Sequence, residues 1–338
     1  MKATDRLQCI SRGARARTLL LAVTLLLCPL LAPAADTIKV AYIKNTPGAP
    51  LFLLPEMGKK QGLDIELVEF KRYADARTST ATGQTQLGQM GPQDPSIMVA
   101  QGARKLLGVM GLAVGGDVVI VRRGVTIDKW EDFIGKKIGV AKGGISWLKF
   151  VASIERNGVD YSKLDIINLT GAPVNFDQAL KKGDLDAWMA WEPFGATALL
   201  GGYGYYPITD HNATPEVGAL NGIVAANKEW AEANPETAQK LVSLLVEAVD
   251  HLKANPAKWG GLLKDATGMD TPTISLSMLT TRLDYNLYQT TIENMTGFMH
   301  KVGLLRSDPS DELFKDFFTY KFLMAATGKS AVELGATR

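Results

Sequence analysis

The sequence predicts an α/β protein built as two domains, and three observations carry the prediction. Apolar strand-like runs alternate with helix-like segments along much of the chain, the order expected of parallel strands with helices on both faces. The alternation breaks and restarts near "VVIV", Val118 to Val121. Beyond an N-terminal leader about 300 residues remain, more than one hydrophobic core ordinarily holds.

The leader comes first. Lys2, Arg6, Arg12, Arg15 and Arg17 stand against one acid, Asp5, and the apolar run "TLLLAVTLLLCPLLAPA" follows. That run is short for a membrane span, and Ala32-Pro33-Ala34 has the A-x-A form of a signal-peptidase site. Residues 1–34 therefore read as a secretory signal cleaved after Ala34. A lipoprotein anchor at Cys28 is the rival, weakened by Leu27 where a small residue usually precedes such a cysteine. The whole chain has 37 Lys and Arg and 35 Asp and Glu; the leader takes five bases and one acid, leaving 32 against 34, a net charge of −2. That balance gives no reason to expect nucleic-acid binding or attraction to an anionic membrane. Both cysteines, Cys9 and Cys28, leave with the leader, so the mature protein has no disulfide, thiolate nucleophile or cysteine metal site.

"TIKVAYIK", Thr37 to Lys44, is a strand entering the Pro/Gly loop "NTPGAP", and a helical segment leads to Gly62. "LDIELVEF" alternates apolar and polar residues as a strand does. A helix through Arg77, a strand at Leu87 to Met90, the turn "GPQDP" and a helix from Ser96 to Gln101 continue the pattern. After "VVIV", "KKIGVAKGG" is a strand entering a glycine turn, and "ISWLKFVASIERNG" a helix with Trp147, Phe150, Val151 and Ile154 on one face. "LDIINL" and "DAWMAW" are strands separated by a short helix, "VNFDQALKKGD". The strand "GIVAAN", Gly222 to Asn227, precedes a mostly helical final third, where Asn234-Pro235 and Thr271-Pro272 each offer a cap followed by proline. "VVIV" and "GIVAAN" are then the paired crossings between domains of residues 35–121 with 222–338, and 122–221.

In open parallel sheets, ligands bind beyond the carboxyl ends of the strands. That rule selects the loops Asn45 to Pro50, Met90 to Asp94, Gly143 to Ser146 and Trp191 to Pro193. Along "DAWMAW", Trp188 and Ala190 share one face while Ala187, Met189 and Trp191 share the other. Trp188 reads as core, and Trp191, at the strand's end, as an aromatic wall. Glu192 either interacts with the helix start at Pro193 or faces the cleft to select a polar or cationic end of a ligand. "GGISW" sets glycines and a capping hydroxyl, Ser146, at a helix start, which either binds an anion or serves as an ordinary cap. Asp94 and Asp117, near strand ends, either line the site or cap a turn or helix.

Signatures of catalysis are missing from the mature chain. Its three histidines, His211, His251 and His300, are widely spaced, and no zincin, nucleophile-elbow, Walker or dinucleotide motif occurs. A carboxylate-only hydrolase or lyase, using acids such as Asp94 and Glu192, is the remaining enzymatic reading. No metal or cofactor is expected.

The signal peptide together with "IKVAYIKNTPGAPLFL", "QGLDIELVEF", "EDFIGKKIGVAKGG" and "LKKGDLDAWMAWEPF" resembles the periplasmic solute-binding proteins of ABC importers. The branch it is similar to takes taurine, aliphatic sulfonates, nitrate and thiamine-precursor pyrimidines. The likeness covers nearly the whole mature chain and rests on the order and spacing of these segments. It implies a type II periplasmic-binding-protein fold, in which two lobes joined by two crossover strands close on a ligand. The partners implied are a small solute and an inner-membrane ABC permease, with the protein a periplasmic monomer. Carried onto this chain, the family's ligand loops fall on Asn45, Thr46 and Pro47; on Tyr73 to Asp75; on Gly91 to Asp94, with Gln93 and Asp94 named as contacts; on Gly144, Ile145, Ser146 and Trp147; and on Trp191 with Glu192.

Two departures bear on the ligand. "YADAR" replaces a small or hydroxyl residue at the first-lobe helix start, and Gln86 stands where the family usually has an acid. Carboxylates at Asp75, Asp94, Asp117 and Glu192 would suit a ligand with an amino group, as taurine has. A taurine-like or sulfonate-like solute is expected; nitrate, a pyrimidine precursor or an aromatic acid is the alternative. Related folds also include an enzyme that makes the thiamine pyrimidine with a histidine and a cysteine-rich motif, against which the cysteine-free mature chain argues.

Overall fold

The computed structural model describes residues 37–207, 214–307 and 315–337; the leader, with Cys9 and Cys28, and His211 lie outside the described residues. Strand β1 (Ile38–Ile43) pairs in parallel with β2 (Ile65–Phe70) on one side and β3 (Leu87–Met90) on the other. Alternation with helices α1 (Leu54–Lys60), α2 (Tyr73–Ala81) and α3 (Asp94–Ala100) forces this arrangement, since each helix returns the chain to the same end of the sheet. A 3-10 segment, Thr46–Leu53, occupies the predicted loop after β1. Helix α3 begins at Asp94, two residues before its expected start.

The chain then enters β4 (Leu106–Gly115), a ten-residue strand for which the sequence reading had no place. Its glycines disguise it, because glycine weakens strand propensity. They are explained by what lies against them: a Cβ on Gly108 would sit 2.5 Å from the Phe317 ring, and one on Gly111 would sit 2.1 Å from the Asn286 carbonyl oxygen. Gly115 and Gly116, at φ 77 and 78, take the left-handed conformation that hands the chain to β5 (Asp117–Arg122) in a second sheet. The first crossing thus lies just before "VVIV".

The second sheet has its own parallel trio. Strand β6 (Lys137–Val140) lies between β7 (Asp165–Asn168) and β8 (Ala187–Trp191), with helices α4 (Ile145–Arg156) and α5 (Pro173–Lys182) as connections. Strand β5 is antiparallel to β8, and the short β9 (Gly204–Tyr205) follows helix α6 (Phe194–Leu200) to form the edge. Strand β10 (Leu220–Asn227) then returns to the first sheet, antiparallel to both β3 and β4, and β11 (Thr281–Leu283) closes that sheet's edge. The orders are β11-β4-β10-β3-β1-β2 and β7-β6-β8-β5-β9, so each parallel trio is extended by antiparallel strands into a mixed sheet.

The final third is helical as expected: α7 (Lys228–Ala233), α8 (Pro235–Ala254), α9 (Pro256–Thr267), α10 (Thr271–Leu279), α11 (Gln289–Lys301) and α12 (Lys321–Thr327). Two cap details differ from expectation. Pro235 does begin α8, but the Asn234 amide bonds back to Trp230 rather than capping; α10 is capped by Asp270, whose carboxylate accepts the Thr273 N–H, so Pro272 is the second helical residue. Leu241, Leu245, Val249 and Leu252 of α8 pack into the core of the first sheet with Val40, Leu51 and Leu112. In contrast, Met295, Phe298 and Met299 of α11 join the second sheet's core with Val119, Val140 and Phe150. Helix α11, inside the 222–338 stretch expected with the first domain, thus also bears on the second sheet's core. Among the described residues no helix is long and apolar enough to cross a membrane, and no cluster of three potential metal ligands occurs.

Candidate functional site

The carboxyl ends of both parallel trios open on one cleft of about 410 Å³. From the first sheet it is lined by Asn45 after β1, by Lys71, Arg72, Tyr73, Ala74 and Arg77 after β2, and by Gln93 and Asp94 after β3. The second contributes Asp117, the turn Ala141 to Gly144 with Ile145 and Ser146, Asn168 to Thr170, and Trp191, while Asn221 and Leu304 complete the wall.

Three helices begin in this space without side-chain caps, but α3 opens on an acid, Asp94, which leaves two starts for a ligand anion. Helix α2 starts after Arg72 and α4 after Gly144, and neither preceding residue caps the helix with its side chain. The first-turn N–H groups of such helices have no carbonyl partner inside the helix and carry the positive end of the dipole, so both starts are suited to oxyanions. Ser146, expected as a cap, instead donates its hydroxyl to Asp117.

The carboxylates that seemed available in the sequence are engaged within the protein. Asp75 takes two bonds from Arg72, at 3.0 and 2.9 Å. Asp94 accepts from Arg77 at 2.6 Å and from the Gly91 N–H at 2.8 Å; burial pushes its carboxyl up, against the pull of both partners. Asp117 is fully buried and accepts from Ser146, from Lys149 at 2.6 Å and from the Asn221 amide at 3.0 Å. Burial lowers the Lys149 ammonium while Asp117 opposes that shift. Glu192 is fully buried too; its carboxylate accepts from the Ala196 N–H at 3.0 Å, the Tyr206 hydroxyl at 2.9 Å and the Thr280 hydroxyl at 3.4 Å, and burial pushes it up. The expectation that these acids present free negative charge to a cationic group is therefore corrected.

Of the residues on the expected ligand loops, together with Asp117, the cleft is lined by Asn45, Tyr73, Ala74, Gln93, Asp94, Asp117, Gly144, Ile145, Ser146 and Trp191, and not by Asp75, Gly91 or Pro92. Four others also lie outside it. Trp147 is buried in the second sheet's core with its Nε1 donating to Tyr161 at 2.7 Å. Thr46 is buried, its hydroxyl donating to Ser277, and Pro47 lies buried beside it. Glu192 turns away from the cleft to hold the start of α6, the first of the two alternatives its sequence left open. Trp188 is fully buried, edge-on to Phe176 and Trp191; the expected split of faces fails for Trp191, which at the strand's end turns its ring into the cluster of Trp188 and Ala190 rather than joining Ala187 and Met189.

Residues the sequence reading missed include Arg77, Lys142 and Asn221. Arg77 had a signal, since it lies one turn after Tyr73 on the same helix face. Asn221 had none. It bonds Gly115 and Asp117 and accepts a 3.5 Å bond from the Tyr73 hydroxyl, which itself accepts from Asn45 and Gln89. One polar network thus joins the ends of β1 and β3 to the crossing between the sheets.

Two mixed α/β sheets linked by crossover strands, with a cleft at their strand ends, define the periplasmic-binding-protein fold. A crystal structure of the aliphatic sulphonate-binding protein SsuA from Escherichia coli has that fold with a TM-score of 0.68 at 20% identity, covering 81% of this chain and 94% of that one. The nitrate-binding protein NrtA from Synechocystis gives 0.72 at 15% identity, with 87% and 89% covered. The chain belongs to the NMT1-like family, which matches residues 32–259. It is 25% identical to the taurine-binding periplasmic protein of Escherichia coli K12 over 228 residues, 67% of this chain and 66% of that protein.

Proposed function

We propose that this protein is a periplasmic receptor that captures a small organic oxyanion, sulfonate-like, and delivers it to an ABC permease in the inner membrane. The carrying observation is that two uncapped helix starts, one from each sheet, open on a single cleft whose nearby carboxylates are all engaged internally. The relatives named above, binding proteins for taurine, sulphonate and nitrate, support the same reading. Residues 35–121 with 222–338 act as one lobe and 122–221 as the other, with α11 bearing on the second. Ligand contact shifts the lobes from open to closed about the Gly115-Gly116 and β10 crossings. The receptor works as a monomer, exported by the 1–34 signal; the rival reading of a carboxylate hydrolase loses the Asp94–Glu192 pair it named, since only Asp94 of the two lines the cleft.

A second reading concerns the ligand's body. Trp191, Ile43, Ile97, Ile145, Leu169 and Leu304 give the cleft an apolar wall. That favours an organic anion, including an aromatic acid, over bare nitrate. Calorimetric titration and small-angle scattering with alkanesulfonates, aromatic acids, pyrimidines and nitrate test both points. The expected result is saturable binding and compaction with an organic anion. Tight binding without compaction would refute the delivery mechanism, and turnover of recovered ligand would refute the receptor.

A further inference from the structure

The charged residues that wall the cleft differ by sign in how far they reach solvent. The side chains of Asp94 and Asp117 are only 2% and 0% exposed, and each is held in an ion pair, with Arg77 and Lys149 respectively. The cations stand in the open. Lys71 and Arg72, just beyond the carboxyl end of β2, have side chains 69% and 56% exposed. In the glycine turn of the second lobe Lys142 is exposed as well; its backbone N–H bonds Asn168 Oδ1 at 3.0 Å, and its ammonium has no ion-pair partner among the described residues.

The imbalance persists when partners outside the wall are included. Lys71 shares Glu69 with Lys44, and Arg72 is met by Asp75; neither acid lines the cleft. The charged lining residues and their partners are then six cations, Lys44, Lys71, Arg72, Arg77, Lys142 and Lys149, against four acids, Glu69, Asp75, Asp94 and Asp117, a surplus of two positive charges. A concave site concentrates a field of one sign. An ammonium entering it would leave water for a positive surrounding with no reachable carboxylate in the wall, and its N–H donors would find only neutral acceptors. A carboxylate would meet the surplus instead.

We propose that the cleft sorts sulfonate-like ligands by the charge of their far end, favouring a second acid over a neutral group and rejecting an amine, with Lys142, the cation without a counterion, as the main determinant. The inference rests on the oxyanion-receptor reading and narrows its ligand class to organic acids without an amine, sulfocarboxylates first among them.

Titration calorimetry with 3-sulfopropanoate, its isosteric amide 3-sulfopropanamide and 3-aminopropanesulfonate tests it, since at neutral pH the far end is an anion, neutral and a cation in turn. At low ionic strength affinity is expected to fall about threefold to fivefold at each step, the worth of a contact between exposed charges. The steps should shrink in about 0.5 M salt, where the screening length is roughly 4 Å. Lys142→Glu, which removes the surplus, should flatten the series while melting as the wild type does, because the side chain is exposed. Equal affinities across the series, tightest binding of the amine, or a series that Lys142→Glu leaves unchanged overturns the charge selection and leaves the receptor standing. Failure of all three ligands and of ethanesulfonate to bind overturns the sulfonate reading and the selection with it.

Discussion

Trp191→Ala and Trp188→Ala, three positions apart on one strand, should have opposite consequences. Trp188 is fully buried, with Phe176 at 5.5 Å and Trp191 at 6.2 Å between ring centroids, both edge-on, and Phe194 at 6.5 Å. Removing a ring so enclosed costs about 3–5 kcal/mol. At about 2 °C per kcal/mol for a chain of this size, melting should fall by roughly 6–10 °C. Trp191 keeps contacts with Phe176, Trp188 and Phe194 at 6.0 to 6.4 Å but is partly exposed and lines the cleft. A ligand covering roughly a third of the ~200 Å² an indole can bury gains about 1.7 kcal/mol at ~25 cal/mol per Å², or roughly tenfold to twentyfold in affinity. Trp191→Ala should therefore weaken binding by about that factor, with a smaller loss of stability than Trp188→Ala. Calorimetry beside thermal melts reads both quantities. If Trp191→Ala binds normally but melts as early as Trp188→Ala, both rings are core and the cleft wall has been misassigned.

Three further outcomes are expected. Burial holds the Glu192 carboxyl above its usual 4.5, so the folded state retains a proton the unfolded chain releases, and this group's contribution to stability is greatest below about pH 4.5 and is lost as pH rises through the raised value; Glu192→Gln should melt above wild type at neutral pH, the gain vanishing towards pH 4.5, and a pH-independent difference would refute this. Lys149→Met strands the Asp117 charge in a fully buried site and should cost about 3–5 kcal/mol, much of it recovered in Lys149→Met with Asp117→Asn, as denaturant melts of the double-mutant cycle would report. Gly111→Ala drives a Cβ to within 2.1 Å of the Asn286 carbonyl oxygen and should destabilise by about 1–3 kcal/mol or more in the same melts, whereas Gly261→Ala, with open space around it, should not.

The fold was legible where a pattern repeats within a few residues. Alternation along "IELVEF", the one-faced helix "ISWLKFVASIER" and the buried "AWMAW" strand all declare their element locally, and strand ends then named most of the cleft. Strand β4 escaped because its glycines answer to Phe317 and Asn286, about 200 residues or nearly so further on.

By itself the sequence determined the two α/β layers, the loops that meet at their strand ends, and the core role of Trp188, since periodicity and strand direction are properties of neighbouring residues. Only the tertiary structure decided which charges remain for a ligand. Asp117 is satisfied by Lys149, 32 positions away, and by Asn221, 104 away; Glu192 reaches Thr280, 88 away; Arg77 and Asp94 find each other across 17. Whether a carboxylate is free or spent depends on a partner within about 3 Å, and nothing in the spacing of a single chain says which distant residue that partner will be.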